Sequence, residues 1–205
     1  MTPPRVLFWH RRDLRLADNL GLVAAVGMSP AVTGVYVLDP KVIKPPPELP
    51  PMAPARLWFL IESLIELQQR WRDAGSRMLV LDGDPVTVLP KLAEQIGAEA
   101  VVWNRDVEPY ARERDRQVAK RLQADGRTVV VDWDQLLIAP ELLKTGGGRS
   151  LSGLRPLPAQ LAWSGPGQPT RDRVGSIRFG GSGTGVGAGF HLACCASSEP
   201  WFCWQ

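Results

Sequence analysis

The chain has 205 residues, and 24 Lys and Arg against 21 Asp and Glu give a formal net charge of +3 at pH 7. That surplus is local: residues 1–148 hold 19 basic and 19 acidic side chains, whereas residues 149–205 hold five Arg, no Lys and only Asp172 and Glu199. The balance argues against nucleic-acid coating by the first part, no apolar run approaches the ~20 residues of a membrane span, and the confinement of Cys194, Cys195 and Cys203 to the end leaves the first part without disulfides or thiolate metal sites.

Met1 to Arg5 run straight into an apolar segment, without the charged, apolar and small-residue zones of a signal peptide, so a cytoplasmic protein is expected. Residues 6–10 form a short continuous apolar run, as a buried strand does. Asp18 is placed to cap a helix over 19–26. A second strand covers 33–38 and ends at Asp39-Pro40. Six prolines between Pro45 and Pro54 then dictate a stiff extended connection, a length of loop more often functional than idle. Over 55–74, Leu57, Leu60, Ile61, Leu64, Leu67 and Trp71 recur at helical spacing, predicting a helix that lays this whole face on a sheet and stops at Gly75. A strand at 78–81, a helix over 85–96, a strand at 100–103, a helix from Pro109 to about 124 and a strand at 128–131 complete the series. Five strands alternating with helices predict an α/β fold, a Rossmann-like doubly wound parallel sheet.

Ligands of such sheets bind beyond the carboxyl ends of the strands where strand order reverses, here between the first and fourth strands. Arg11-Arg12-Asp13 follows the first of these, Asn104-Arg105-Asp106-Val107-Glu108 the other, and Asp39 follows the second strand beside them. Arginines and carboxylates thus converge on one crevice roofed by the proline-rich loop. They either pair with one another around a loop rim or bind a ligand. No glycine-rich phosphate loop follows the first strand, which points to a flat polar molecule rather than a cradled pyrophosphate. His10 has no nearby serine or cysteine nucleophile and reads as structural. The alternating run Arg112-Glu113-Arg114-Asp115-Arg116 reads as a solvated helix face, and Arg11, Arg12 and Arg15 as partners of Asp13, Asp18 and the crevice. Gly183-Thr184-Gly185-Val186-Gly187-Ala188 imitates a dinucleotide fingerprint but lacks the flanking strand and helix. No catalytic residue and no metal site is assigned.

The segment Leu7-Phe8-Trp9-His10-Arg11-Arg12-Asp13-Leu14-Arg15-Leu16-Ala17-Asp18-Asn19 closely resembles the opening of the DNA photolyase/cryptochrome family. Val37-Leu38-Asp39-Pro40, Gly83-Asp84-Pro85, Trp103-Asn104-Arg105-Asp106-Val107-Glu108-Pro109-Tyr110 and Trp133-Asp134-Gln135-Leu136-Leu137 continue the likeness in order, so that it covers residues 5–148. The resemblance implies an antenna-binding α/β domain in residues 1–148. In the family a helical domain follows, binds FAD, grips damaged DNA and repairs pyrimidine dimers by light-driven electron transfer. Met52-Ala53-Pro54-Ala55-Arg56 is most similar to the branch, among the class I photolyases, whose antenna is a hydroxy-deazaflavin rather than methenyltetrahydrofolate. By motif position Asp39, Arg56, Asp106 and Glu108 would contact the antenna, with Arg12 and Asp13 at the crevice edge.

After the glycines at 146–148 the family pattern Pro-Tyr-x-Val-Tyr is not met. The resemblance therefore implies a truncated deoxyribodipyrimidine photolyase without its FAD domain, and no repair by this chain alone. Residues 149–205 read as a low-complexity, disordered tail arising from a frameshift near Gly148, since codons for Tyr-Gly-Pro-Phe-Leu-Arg-Asn-Trp shifted by one base can encode Leu154 to Leu161. A cryptochrome-like photoreceptor and a free-standing small-molecule module are the competing readings.

Overall fold

The computed structural model describes residues 3–136. Five strands, β1 (Arg5–His10), β2 (Val32–Leu38), β3 (Met78–Asp82), β4 (Ala98–Asn104) and β5 (Thr128–Asp132), form one parallel sheet in the order β3-β2-β1-β4-β5. β1 is central, and Val6 to Trp9 are at most 1% exposed because both faces of the sheet are covered. Five helices connect the strands: α1 (Leu20–Met28), α2 (Pro40–Ile43), α3 (Pro54–Asp73), α4 (Pro85–Gln95) and α5 (Pro109–Ala124). The chain winds from β1 to β3 in one direction, then crosses back beyond β1 to β4. Right-handed crossovers therefore put α1 and α3 on one face and α4 and α5 on the other.

Side chains of β1 alternate between the two cores. Val6 and Phe8 pack with Leu22, Leu64, Leu67 and Trp71 of α1 and α3. Leu7 and Trp9 pack with Leu89, Leu92, Val118 and Leu122 of α4 and α5. Gly34 of β2 makes room for Trp71, whose ring atoms lie 2.7 and 2.8 Å from where a Cβ would stand. A larger residue there would drive the tryptophan off the sheet.

Three expectations change. Asn19, not Asp18, caps α1, because its side chain accepts from the Leu22 N–H, while Asp18 takes the left-handed backbone conformation at φ +51°. The chain after Asp39 begins with the short helix α2, started by Pro40 at its tolerated first position and capped by Asp39, before the prolines take over. Of the apolar stripe of α3, only Leu64, Leu67 and Trp71 are buried. Twenty helical residues span about 30 Å, but the five of β3 span only about 17 Å. The C-terminal half of α3 lies on the sheet and its N-terminal half overhangs the carboxyl edge. Leu57, Leu60 and Ile61 are consequently half-buried, and Trp58 and Phe59 stand 64% and 68% exposed.

Among the described residues no helix is long and apolar enough to cross a membrane, and no three His, Cys, Asp or Glu side chains are grouped to hold a metal. The readings of residues 149–205, namely disorder, an out-of-frame origin and the imitation fingerprint, lie outside the described residues.

Candidate functional site

The crossing point between β1 and β4 has a polar floor. Asp13, Asn19 and Asn104 are each at most 3% exposed. The Asn104 amide donates to Asp13 Oδ2 at 2.6 Å and to Asn19 Oδ1 at 2.9 Å, and the Asn19 amide donates to Asp13 Oδ2 at 3.3 Å. Asp13 Oδ1 accepts from the Arg11 N–H at 2.8 Å. This network closes the N-terminus of α1. Leu20 N–H donates to Asp134 Oδ1 at 3.0 Å, Gly21 N–H to Asn104 Oδ1 at 3.0 Å, and Leu22 N–H to Asn19 Oδ1 at 3.1 Å. Val23 N–H already has the Asn19 carbonyl. The N–H groups of Leu20, Gly21 and Leu22, three of the donors that a helix start leaves for an anion, are thus taken by the protein's own side chains. A pyrophosphate has nothing to bind there.

The rim above this floor carries two clusters. Arg12 leaves β1 to meet the loop after β4: its Nη2 pairs with Glu108, and its Nε lies 3.5 Å from Asp106 Oδ2. The hydrogen bond to Glu108, aided by the Asp106 charge, raises the Arg12 pKa. Asp106 is nearly buried and accepts the Glu108 N–H at 3.1 Å, which fixes the turn into α5. Arg12 and Glu108 are about half exposed, 49% and 53%. The second cluster centres on Asp39. Its Oδ1 accepts from Lys41 N–H at 3.0 Å, and its Oδ2 accepts the Tyr110 hydroxyl at 2.6 Å with Arg114 Nη1 at 3.6 Å. Burial, followed by the bond to Asp39, pushes the Tyr110 phenol pKa well up. Arg56 stands exposed on the first turn of α3. Its charge reaches the Tyr36 phenol, as do those of Arg114 and Asp39, although burial dominates there and raises the Tyr36 pKa.

The structure therefore brings Arg12, Asp106 and Glu108 together and sets Asp39 beside them through Tyr110, whereas Arg56 makes none of these contacts and is linked to the group only by its charge on Tyr36. Asp13 is different. It lies beneath the crevice edge, its oxygens committed to Arg11, Asn19 and Asn104.

Arg114 and Tyr110 were not singled out by sequence. The charge run on α5 is only partly solvated: Arg112, Glu113 and Arg116 face water, but Arg114 and Asp115 are 10% and 12% exposed at the side chain. They fall between Ala111 and Val118 on the inward stripe of the helix, a spacing that could have flagged them. The Arg114 guanidinium lies over the Trp9 ring at 4.8 Å and the Tyr110 ring at 5.6 Å. Two arginines also find other partners than expected. Arg11 pairs with Asp115, and Arg15 pairs with Asp134 and also donates to the backbone carbonyl of Asp18.

His10 is structural, as its isolation implied. Its Nε2 accepts from the Trp71 indole N–H at 3.0 Å, which requires the proton on Nδ1, 3.0 Å from the Asp13 carbonyl. Burial lowers its pKa and keeps the ring neutral.

Known proteins share this sequence and fold. The family model for DNA photolyase matches residues 6–161. The deoxyribodipyrimidine photo-lyase of Synechococcus sp. PCC 6301 is 50% identical over 147 residues, 72% of this chain and 30% of that protein. A bacterial class III photolyase from Agrobacterium tumefaciens superposes with a TM-score of 0.69 at 33% identity, over 80% of this chain and 33% of that one. A photolyase from Sulfolobus tokodaii, solved with two FAD molecules, gives a TM-score of 0.62 at 30% identity over 69% and 32% of the two chains. Cryptochromes stand among the relatives beside the photolyases. The chain spans about a third of the length of these three proteins, and what it shares with them is the family's N-terminal domain. It belongs to the DNA photolyase family, whose members bind antenna chromophores and FAD.

Proposed function

We propose that this domain holds a light-harvesting chromophore on the rim formed by Arg12, Asp39, Arg56, Asp106 and Glu108, and serves the light-driven repair of pyrimidine dimers in DNA. The observation that carries the reading is the pairing of an accessible rim with a closed floor. Arg12 and Glu108 offer half-exposed polar heads above the crossing point, while the Leu20, Gly21 and Leu22 N–H groups at the start of α1 are already used. Such a rim suits a flat ring system with N–H, O–H and carbonyl groups, not a phosphate. The carboxylates accept ring N–H or hydroxyl protons, and the planar Arg12 fork donates to ring carbonyls. Asp13 acts from below by fixing Asn104 and the backbone of Arg11. When bound, the chromophore absorbs light and passes its excitation on. The chain's own residues bind it, orient it and hold its polar edge.

The motif at Met52 to Arg56 favours a hydroxy-deazaflavin over methenyltetrahydrofolate. We further propose that FAD and damaged DNA are bound only in the full-length family member, in the cytoplasm, and that this chain alone performs no repair. The cryptochromes among the relatives favour, as second reading, a photoreceptor built on the same antenna domain.

The test is reconstitution of the purified chain with hydroxy-deazaflavin, methenyltetrahydrofolate and FAD separately, followed by removal of free ligand and a visible absorption spectrum. Retention of the deazaflavin band is expected, and Arg12→Met should weaken binding roughly 10-fold or more through loss of a charge-assisted hydrogen bond. Retention of folate or FAD alone would replace the assignment of the chromophore. Retention of none would remove the antenna reading.

The out-of-frame origin of residues 149–205 is also proposed, from the loss of motif, the charge shift and the cysteines arising together. The family match reaches residue 161, so resequencing must cover codons 148–161 and all frames beyond. An in-frame sequence with no flavin-domain coding downstream would overturn it.

A further inference from the structure

We infer that Tyr110 sets the affinity of the antenna site by occupying Asp39 when no chromophore is bound, and that a chromophore N–H or O–H takes its place. The inference rests on the antenna reading and assigns to the site a residue that competes with the ligand rather than holding it.

Asp39 is 5% exposed, so a ligand must approach it past whatever covers it. Its Oδ1 is bound to the Lys41 N–H within α2 at 3.0 Å. Its Oδ2 carries the Tyr110 hydroxyl at 2.6 Å, and Arg114 stands behind at 3.6 Å. A donor aimed at Oδ2 from the rim meets the phenol first.

These three neighbours differ in freedom. The Lys41 N–H is main chain within a helix. Arg114 is held on three sides, by Asp115 at 2.9 Å, by the Trp9 ring and by Asp39 itself. Tyr110 is the second residue of α5, immediately after Pro109, and is 37% exposed. Rotation about its side-chain bonds carries the phenol off Asp39 without moving the backbone. Water can then satisfy the released hydroxyl.

Departure of the phenol leaves no stranded charge. Asp39 keeps the Lys41 N–H and the Arg114 guanidinium, and its Oδ2 is open to accept. The exchange is one hydrogen bond for another. It makes Tyr110 a tax on ligand affinity and a guard against leaving Oδ2 half-solvated in the empty domain.

The experiment compares the wild-type chain with Tyr110→Phe, which keeps the ring over Arg114 and removes only the hydroxyl. Hydroxy-deazaflavin, methenyltetrahydrofolate and FAD are titrated into both. The retained chromophore should bind about three- to tenfold more tightly to Tyr110→Phe. That gain should vanish when Asp39→Ala is added, because there is then no side-chain acceptor to compete for. A second readout follows the side chain itself. Tyr36→Phe leaves Tyr110 as the only tyrosine, so 3-fluorotyrosine in that variant gives a single fluorine resonance. Chromophore binding should move it to the position it takes in ligand-free Asp39→Ala. Equal or weaker binding by Tyr110→Phe, or a resonance that binding leaves in place, overturns the inference while the antenna reading stands. Failure of wild type and Tyr110→Phe alike to retain any of the three compounds overturns the antenna reading and the inference with it.

Discussion

Gly21 has no space for a single added carbon: a Cβ would lie 2.4 Å from Asn104 Oδ1 and 3.1 Å from Phe8. Asn104 cannot retreat, because Asp13 and Asn19 pin its amide nitrogen. Gly21→Ala should destabilise the domain by about 1–3 kcal/mol, read as a lowered urea midpoint. Gly27, in the same helix, meets nothing within 4 Å. Gly27→Ala should stabilise the domain by roughly 0.5–1 kcal/mol, read as a raised urea midpoint, which separates a packing effect from helix propensity. His10 sets a dependence on acid. Its folded pKa is lowered by burial, whereas the unfolded ring takes a proton near the ordinary value of about 6.5. Its contribution is therefore complete above about pH 6.5 and is lost as pH falls below it, by up to about 1.4 kcal/mol per pH unit. Urea midpoints at pH 7.5 and 5.5 should show the fall, and His10→Gln, which keeps an acceptor for Trp71, should remove that component.

Elements were legible where neighbours in sequence decide them. Apolar runs marked all five strands, and helical spacing marked four of the five helices. What escaped was decided across the fold. Asp18 and Asn19 are equally good caps by type, and the choice falls to Asn19 because Asn104, 85 residues away, bonds to it. Sign alternation hid Arg114 and Asp115, which are drawn inward by Trp9, Asp39 and Arg11 on other elements. The stripe on α3 gave the correct register but not the length of sheet beneath it. That overhang yields a paired prediction for this helix. Replacing both Trp58 and Phe59 by Gln should change stability by no more than about 0.5–1 kcal/mol, whereas Trp71→Ala should cost about 3–5 kcal/mol, both measured by thermal or urea unfolding.

At the scale of the whole domain, the rim residues come from the ends of β1, β2 and β4 and from the starts of α3 and α5. Sequence alone could gather Arg12, Asp39, Asp106 and Glu108 because strand order places their strands side by side. It could not show that Asp13 faces down while Arg12 faces up, since one residue's step around a turn decides the matter. The strand order carries one more consequence, for synthesis. β1 leaves the ribosome first and gains β2 early, but its other neighbour, β4, ends at Asn104. At ~5–20 residues per second, the interval from Leu38 to Asn104 is roughly 3–13 s. For that time the central strand of the nascent domain has one bare edge, and α1 waits longer still for the Asp134 carboxylate that completes its cap. The heart of the domain is made first and finished last, so it is during translation that the chain most needs protection from mispairing.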